Sequence, residues 1–161
     1  GHFLAGLLAH IADEPVNYVN APLIAAERGL QTSRGAAADA RGYSQLLLAA
    51  VTGEAGETTV AGALLDRQPR IVEIGGFSFD LMPEGIVLLI FNAHPERPGF
   101  VGTIGRILGE AGVNILGIQV AHEVIDGTGL MAATVAAPIT PEVRAQINAL
   151  EDVARLEIVE F

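Results

Sequence analysis

The sequence predicts an α+β protein in two parts: strands and helices up to residue 82, then a ferredoxin-like βαββαβ domain over residues 83–161. Three observations predict it. Two stretches near the N-terminus place apolar residues at helical spacing. Residues 43–81 alternate apolar runs with glycine-bearing turns, the pattern of antiparallel strands. Beyond Gly85 the apolar period switches in the order strand, helix, strand, strand, helix, strand.

In chain order, residues 3–12 carry Leu4, Leu7, Leu8 and Ile11 on one face of a first helix. Asn20-Ala21-Pro22 predicts a second helix through Arg28, with Asn20 as cap, proline in the first turn and Gly29 as terminator. Residues 31–42 lack periodicity and predict a loop. Strands over 43–52 and 58–66 flank the turn Gly53-Glu54-Ala55-Gly56-Glu57. A third over 70–74 turns through Gly75-Gly76 into Phe77-Ser78-Phe79-Asp80-Leu81, and residues 82–85 are the expected domain boundary.

The second part opens with an apolar strand over 86–93. A helix over 99–111 follows, with Phe100, Ile104, Ile107, Leu108 and Ala111 on one face. Gly112 is placed to end it in a left-handed conformation, and Val113 to fold back on its last turn. A long strand over 114–124, a turn at Asp126-Gly127-Thr128-Gly129 and a strand over 130–137 come next. Thr140 caps the last helix with Pro141 in its first position, and Val143, Ile147 and Leu150 form its buried stripe. Residues 153–161 close as an alternating strand.

The run His94-Pro95-Glu96-Arg97-Pro98-Gly99 joins strand to helix. Unpaired N–H groups and the dipole of a helix N-terminus attract a carboxylate, which makes Pro98, Gly99 and Phe100 a candidate binding loop. His94, Glu96 and Asn114 are expected to add hydrogen-bonding groups around the same spot, the chemistry for a zwitterionic amino acid. Each has a plainer alternative: a surface histidine, a glutamate complementing the helix dipole, an asparagine bonding loop backbone. Arg97 is expected to fix the loop or an interface, and Gln119 and His122 to lie on the strand behind.

Composition narrows the classes further. Half of the 161 residues are hydrophobic, enough for a real core. With no cysteine there is no disulfide framework or thiolate metal site, which fits a cytoplasmic protein, and no metal site is expected. Net charge is −10 and all nine basic residues are arginine, so nucleic acid is not an expected partner and lysine Schiff-base chemistry is excluded. Apolar runs break well before the roughly 18 residues of a membrane helix, so no membrane partner is expected.

Residues 96–99 with 110–115 (Glu-Arg-Pro-Gly and Glu-Ala-Gly-Val-Asn-Ile) resemble the opening of an ACT domain, a small module that binds amino acids. Residues 14–22 with 26–29, and Ile71-Val72-Glu73-Ile74-Gly75-Gly76-Phe77 leading to Pro83-Glu84-Gly85, resemble the intervening, allosteric substrate-binding domain of long-form D-3-phosphoglycerate dehydrogenases. The resemblance covers nearly the whole chain. It implies a partial intervening domain over 1–82 and an ACT domain over 83–161, the regulatory and oligomerisation part of an NAD-dependent enzyme of serine biosynthesis. It implies L-serine or a related amino acid as effector, held between ACT domains that self-associate, with the apolar strand of Ile115, Leu116, Ile118 and Val120 at a two-fold contact. Glu96 departs from the Asn or Asp usual at that position in the family. Because the resembled intervening domain can bind phosphorylated substrate, Arg41, Arg67 and Arg70 are a possible anion-binding set; the alternative is three solvated arginines.

No catalytic residue is expected within the chain. It holds no Gly-x-Gly-x-x-Gly after a strand, and Gly102-Thr103-Ile104-Gly105 falls inside a helix. NAD would belong to the parent enzyme, with no cofactor in this fragment. Two alternatives stand beside an effector-binding fragment: an assembly module that has lost its ligand, and the regulatory part of an L-serine dehydratase.

Overall fold

The computed structural model describes all residues except 1, 10, 13, 14, 34, 36–41, 44, 54, 55, 95, 96 and 123–127. Packing divides the chain into two compact units, residues 1–38 and 39–161.

The first unit is a helix pair, α1 (His2–Leu8) and α2 (Ala21–Glu27), closed by Leu4 and Leu8 against Ala21, Ile24 and Ala25. The first helix is shorter than the sequence suggested, and Leu7 and Ile11 of its expected stripe are exposed. Asn20 sits at the N-cap position of α2 but does not cap it with its side chain. Its backbone is already helical (φ −87°, ψ −18°), whereas a capping asparagine needs an extended backbone to reach the N–H groups ahead. Its Oδ1 instead accepts from Asn17 N–H (2.7 Å) and its Nδ2 donates to Pro15 O (2.9 Å). Asn17 Oδ1 in turn accepts from the N–H of Val19 and Asn20, so two asparagines brace the turn that launches the helix.

The second unit holds two antiparallel four-stranded sheets among the described residues. In the first, β1 (Leu46–Gly53), β2 (Gly56–Leu65), β3 (Gln68–Ile74) and β4 (Phe77–Leu81) pair in sequence order. Asp66 and Arg67 turn β2 into β3 with φ of 51° and 66°, the two left-handed residues of a tight hairpin. Gly75 and Gly76 do the same between β3 and β4.

The second sheet comprises β5 (Ile86–Asn92), β6 (Ile115–His122), β7 (Gly129–Val135) and β8 (Val153–Glu160) in the order β6-β7-β5-β8. With α3 (Phe100–Glu110) and α4 (Pro141–Asn148) this is the expected βαββαβ arrangement. The strand after α3 begins at Ile115; residues 123 and 124 of its expected span, and 126 and 127 of the turn expected over 126–129, lie outside the described residues. Gly112 (φ +72°) stops α3 as expected: its N–H donates to Gly109 O and that of Val113 to Leu108 O, both closing carbonyls the helix leaves open. Thr140 caps α4 by accepting from Val143 N–H at 3.4 Å.

Both faces of β5 are buried, which explains its unbroken apolar run. Leu88 and Ile90 join Phe100, Ile104, Ile107, Leu108, Val143 and Ile147 under the helices. Val87 and Leu89 face the other way, onto Ile74, Phe79 and Leu81 of the first sheet. The expected division at residue 82 is therefore a change of sheet within one packed unit, and the break in packing falls at residue 38. The link over 82–85 is too short to part β4 from β5, so the apolar sides of the two sheets bury one another.

Candidate functional site

The loop between β5 and α3 is pinned at both ends. Ala93 N–H donates to Asp152 O (2.9 Å), and Arg97 forms ion pairs with Glu151 (3.8 Å) and Asp152 (3.5 Å). Arg97 thus fixes the loop, one of the two roles its sequence context suggested. Gly99 enters the helix at φ +97°, a conformation that a side chain would strain, and buried Phe100 seats the first turn on the core.

Two first-turn donors are already used: Phe100 N–H donates to Arg97 O (3.2 Å) and Thr103 N–H to Gly99 O (2.9 Å). The N–H groups of Val101 and Gly102 then stand as the open donors an α-helix presents at this end. No acidic side chain of α3 fills the position in front of them. Residues 97–102 line a shallow concavity of about 350 Å³ here. Pro98, Gly99 and Phe100, expected from the sequence, belong to it; Val101 and Gly102 are added by the structure.

The other expected members are placed less simply. His94 is exposed in the same loop, and Glu96 lies outside the described residues. Asn114 is exposed at the far end of α3, beyond its C-cap, rather than around the same spot in this chain. Strand pairing makes the point: Ile115 and Ile86 both oppose Val135, whereas the loop leaves β5 at its other end, past Phe91. Eleven helical residues span about 16 Å, so one chain cannot bring Asn114 to the first turn of its own α3.

One residue went unremarked in the sequence. Asn92, the last of β5, is buried, and its Oδ1 has no hydrogen-bond partner. It stands two residues past Ile90 on the helix-facing side, close against β7, where a Cβ on Gly129 would meet Asn92 Nδ2 at 3.1 Å and His122 Nδ1 at 3.4 Å. A polar residue ending an apolar run reads as the start of a loop, so no sequence signal marked it as buried. His122 itself is exposed at the end of β6.

Of the three arginines, Arg41 lies outside the described residues and Arg67 occupies the exposed β2–β3 turn. Arg70 is partly buried, with Nε 3.6 Å from Asp80 and Nη2 donating to Gln68 at 3.3 Å. It lines an open cleft of about 580 Å³ between the sheets, together with Asp80, Glu84, Leu116, Gln119 and Thr134. Of the two described arginines, Arg70 lines this cleft and Arg67 does not. No group of side chains suited to a metal ion occurs among the described residues, and none of their helices is long and apolar enough to cross a membrane.

Two segments of the chain match known families. Residues 1–75 match the intervening domain of D-3-phosphoglycerate dehydrogenase, and residues 87–152 match the ACT domain. Over nearly its whole length the chain is similar to D-3-phosphoglycerate dehydrogenases. It is 35% identical over 146 residues to the D-3-phosphoglycerate dehydrogenase of Synechocystis, covering 90% of this chain and 26% of that protein. With the enzymes of Mycobacterium tuberculosis and Bacillus subtilis it shares 34% and 30% identity, covering 98% of this chain and 30% of each relative. The chain therefore spans less than a third of the length of these relatives, and it aligns to their regulatory region. The two matched segments leave residues 76–86 between them, which is β4 and the link to β5. The helix pair and β1 to β3 fall within one matched segment, although packing joins the first sheet to the ACT domain.

Proposed function

We propose that this chain is the regulatory and assembly part of an NAD-dependent D-3-phosphoglycerate dehydrogenase of cytoplasmic serine biosynthesis, and that it binds L-serine or a closely related amino acid between two ACT domains. In this reading residues 1–82 are the intervening domain and 83–161 the ACT domain, and catalysis and NAD binding belong to other parts of the enzyme.

The separation of Asn114 from the first turn of α3 carries the proposal. The open donors, the absence of an acidic side chain in that turn and the adjoining concavity suit a carboxylate. A second copy related by a two-fold axis, with its β6 antiparallel to this one, has its strand direction reversed. Its Asn114 then stands at the end where α3 begins. The outer position of β6 supports such pairing, with Leu116 64% exposed and Ile118 37% exposed. In this arrangement the amino acid's carboxylate meets the N–H groups of Val101 and Gly102, and Asn114 of the second copy closes over it. His94 and Glu96 hold the hydroxyl and ammonium ends. In the inter-sheet cleft, Arg70 serves as an anion contact.

Titration calorimetry with serine, then glycine, tests the site. A hydrogen bond to a charged group is worth about 1.5–3 kcal/mol, so Asn114→Ala weakens binding at least roughly tenfold. His94→Ala does likewise, and His122→Ala leaves binding unchanged. Absence of heat and of any thermal shift at millimolar serine would remove the ligand and leave an assembly module.

A further inference from the structure

The ACT edge strand is tied to the first sheet by one side chain. Gln119, on β6, turns away from the helices and reaches β4: its Nε2 donates to Asp80 O at 2.6 Å, and its Oε1 accepts from Asp80 N–H at 3.0 Å. A primary amide has the donor and acceptor of a peptide group, and here it pairs with a backbone residue as a neighbouring strand would. The match is specific to position. β4 is the outer strand of its sheet, and Asp80 falls within the irregular part of the β3–β4 ladder, between the paired Ser78 and Leu81. Its backbone groups would otherwise face the cleft. Asp80 also receives Arg70 of β3 through its side chain, so two strands of the first sheet converge on the residue Gln119 holds. Behind this point Ile74, Phe79 and Leu81 are packed on the second sheet, an apolar contact that resists separation but sets no register.

We propose that Gln119 is the coupling residue between the ACT sheet and the intervening-domain sheet: its amide converts displacement of β6 into displacement of β4. The regulatory consequence rests on the proposed function, because β6 is the strand expected at the contact between ACT domains, where an effector would bind. A shift of β6 along its axis drags the Asp80 peptide or breaks both bonds, since neither hydrogen bond tolerates much misalignment. Apolar contacts alone would let the sheets slide. Gln119 is a positioning residue in this scheme and touches no ligand.

Amide hydrogen exchange on the 161-residue chain tests the coupling without ligand. Val120, the neighbour of Gln119, packs on the helix side of the sheet, so Val120→Ala loosens β6 without touching β4. Exchange is followed at Phe77–Leu81 in wild type, Gln119→Ala, Val120→Ala and the double variant. Gln119→Ala is expected to speed exchange of the Asp80 amide about fivefold or more, the loss of one net hydrogen bond. Val120→Ala speeds exchange along β4 when Gln119 is present and has no effect on β4 when it is alanine. Gln119→Glu, which can accept from Asp80 N–H but not donate to its carbonyl, gives an intermediate result. Unchanged Asp80 protection in Gln119→Ala, or an equal effect of Val120→Ala in both backgrounds, overturns the proposal. Adding serine to wild type then separates the two ideas. If serine binds and β4 exchange responds only when Gln119 is present, both stand; if it does not bind, the ligand assignment fails while the cycle still decides the coupling.

Discussion

Leu116→Ala is the most direct probe of the contact on which an effector site shared by two chains depends. Leu116 lies on the outer strand β6 and is 64% exposed in the single chain. Complete burial of a leucine side chain is worth about 1.5–3 kcal/mol, so roughly two-thirds of that, about 1–2 kcal/mol, is still to be gained when a second copy covers it. A two-fold axis counts the contact twice, for about 2–4 kcal/mol per dimer. The dissociation constant of Leu116→Ala should therefore rise roughly 30- to 1,000-fold. The single chain should be almost indifferent, because truncating an exposed side chain usually changes stability by less than about 0.5 kcal/mol. Sedimentation equilibrium over a dilution series measures the first quantity, and urea unfolding at low concentration the second. An unchanged dissociation constant refutes pairing through β6, as does a wild-type chain that is monomeric at micromolar concentration. A large loss of stability in the diluted variant would show instead that Leu116 is packed within its own chain.

Three further outcomes follow from local geometry. Gly112→Ala should cost about 1–2 kcal/mol, since φ is +72° with open space where the Cβ would go, and the whole penalty is backbone strain; calorimetry should show a fall in Tm, largely restored by Gly112→Asn. Ile107→Ala, in the fully packed layer between α3 and its sheet, should cost about 2–5 kcal/mol and lower the urea midpoint without changing the helix ends. Glu142 in the first turn of α4 has its carboxyl held below the usual range by the Thr140 hydroxyl, then by its own backbone N–H. A depressed value in the folded state stabilises above the unfolded value of about 4.3 and is lost as pH falls through the folded one. Glu142→Gln should accordingly flatten the acid limb of the pH–Tm curve slightly, the two proteins converging at the lowest pH; equal acid limbs would contradict the assignment.

Much of the second domain was legible because its signals are local. Gly99, Gly112, Thr140 and Pro141 each stand where backbone conformation or a missing N–H demands that residue type, and the buried stripe of Phe100, Ile104, Ile107 and Leu108 lies under α3 as its spacing implies. The βαββαβ order follows from those boundaries. The first turn of α3 was legible for the same reason: a loop, a proline and a glycine before an apolar period specify an open helix end.

Other features depend on partners distant in sequence. Asn20 has the composition of a cap, yet Asn17 and Pro15 claim its side chain, because the turn before α2 has donors and acceptors of its own. Asn114 follows its helix by only a few residues, but strand direction decides which end of the sheet it occupies, and that end is the wrong one for its own chain's loop. The burial of Asn92 depends on how β5, β7 and the end of β6 close together, and the attachment of Gln119 to Asp80 joins residues 39 positions apart. The sequence by itself determined the order of the helices and strands and the turns between many of them, since these are set by dihedral preference and periodicity over a few residues. Only the tertiary structure decided that the two sheets share one core and that a single amide bridges their edges, because apolar burial is non-directional and does not name its partner in advance.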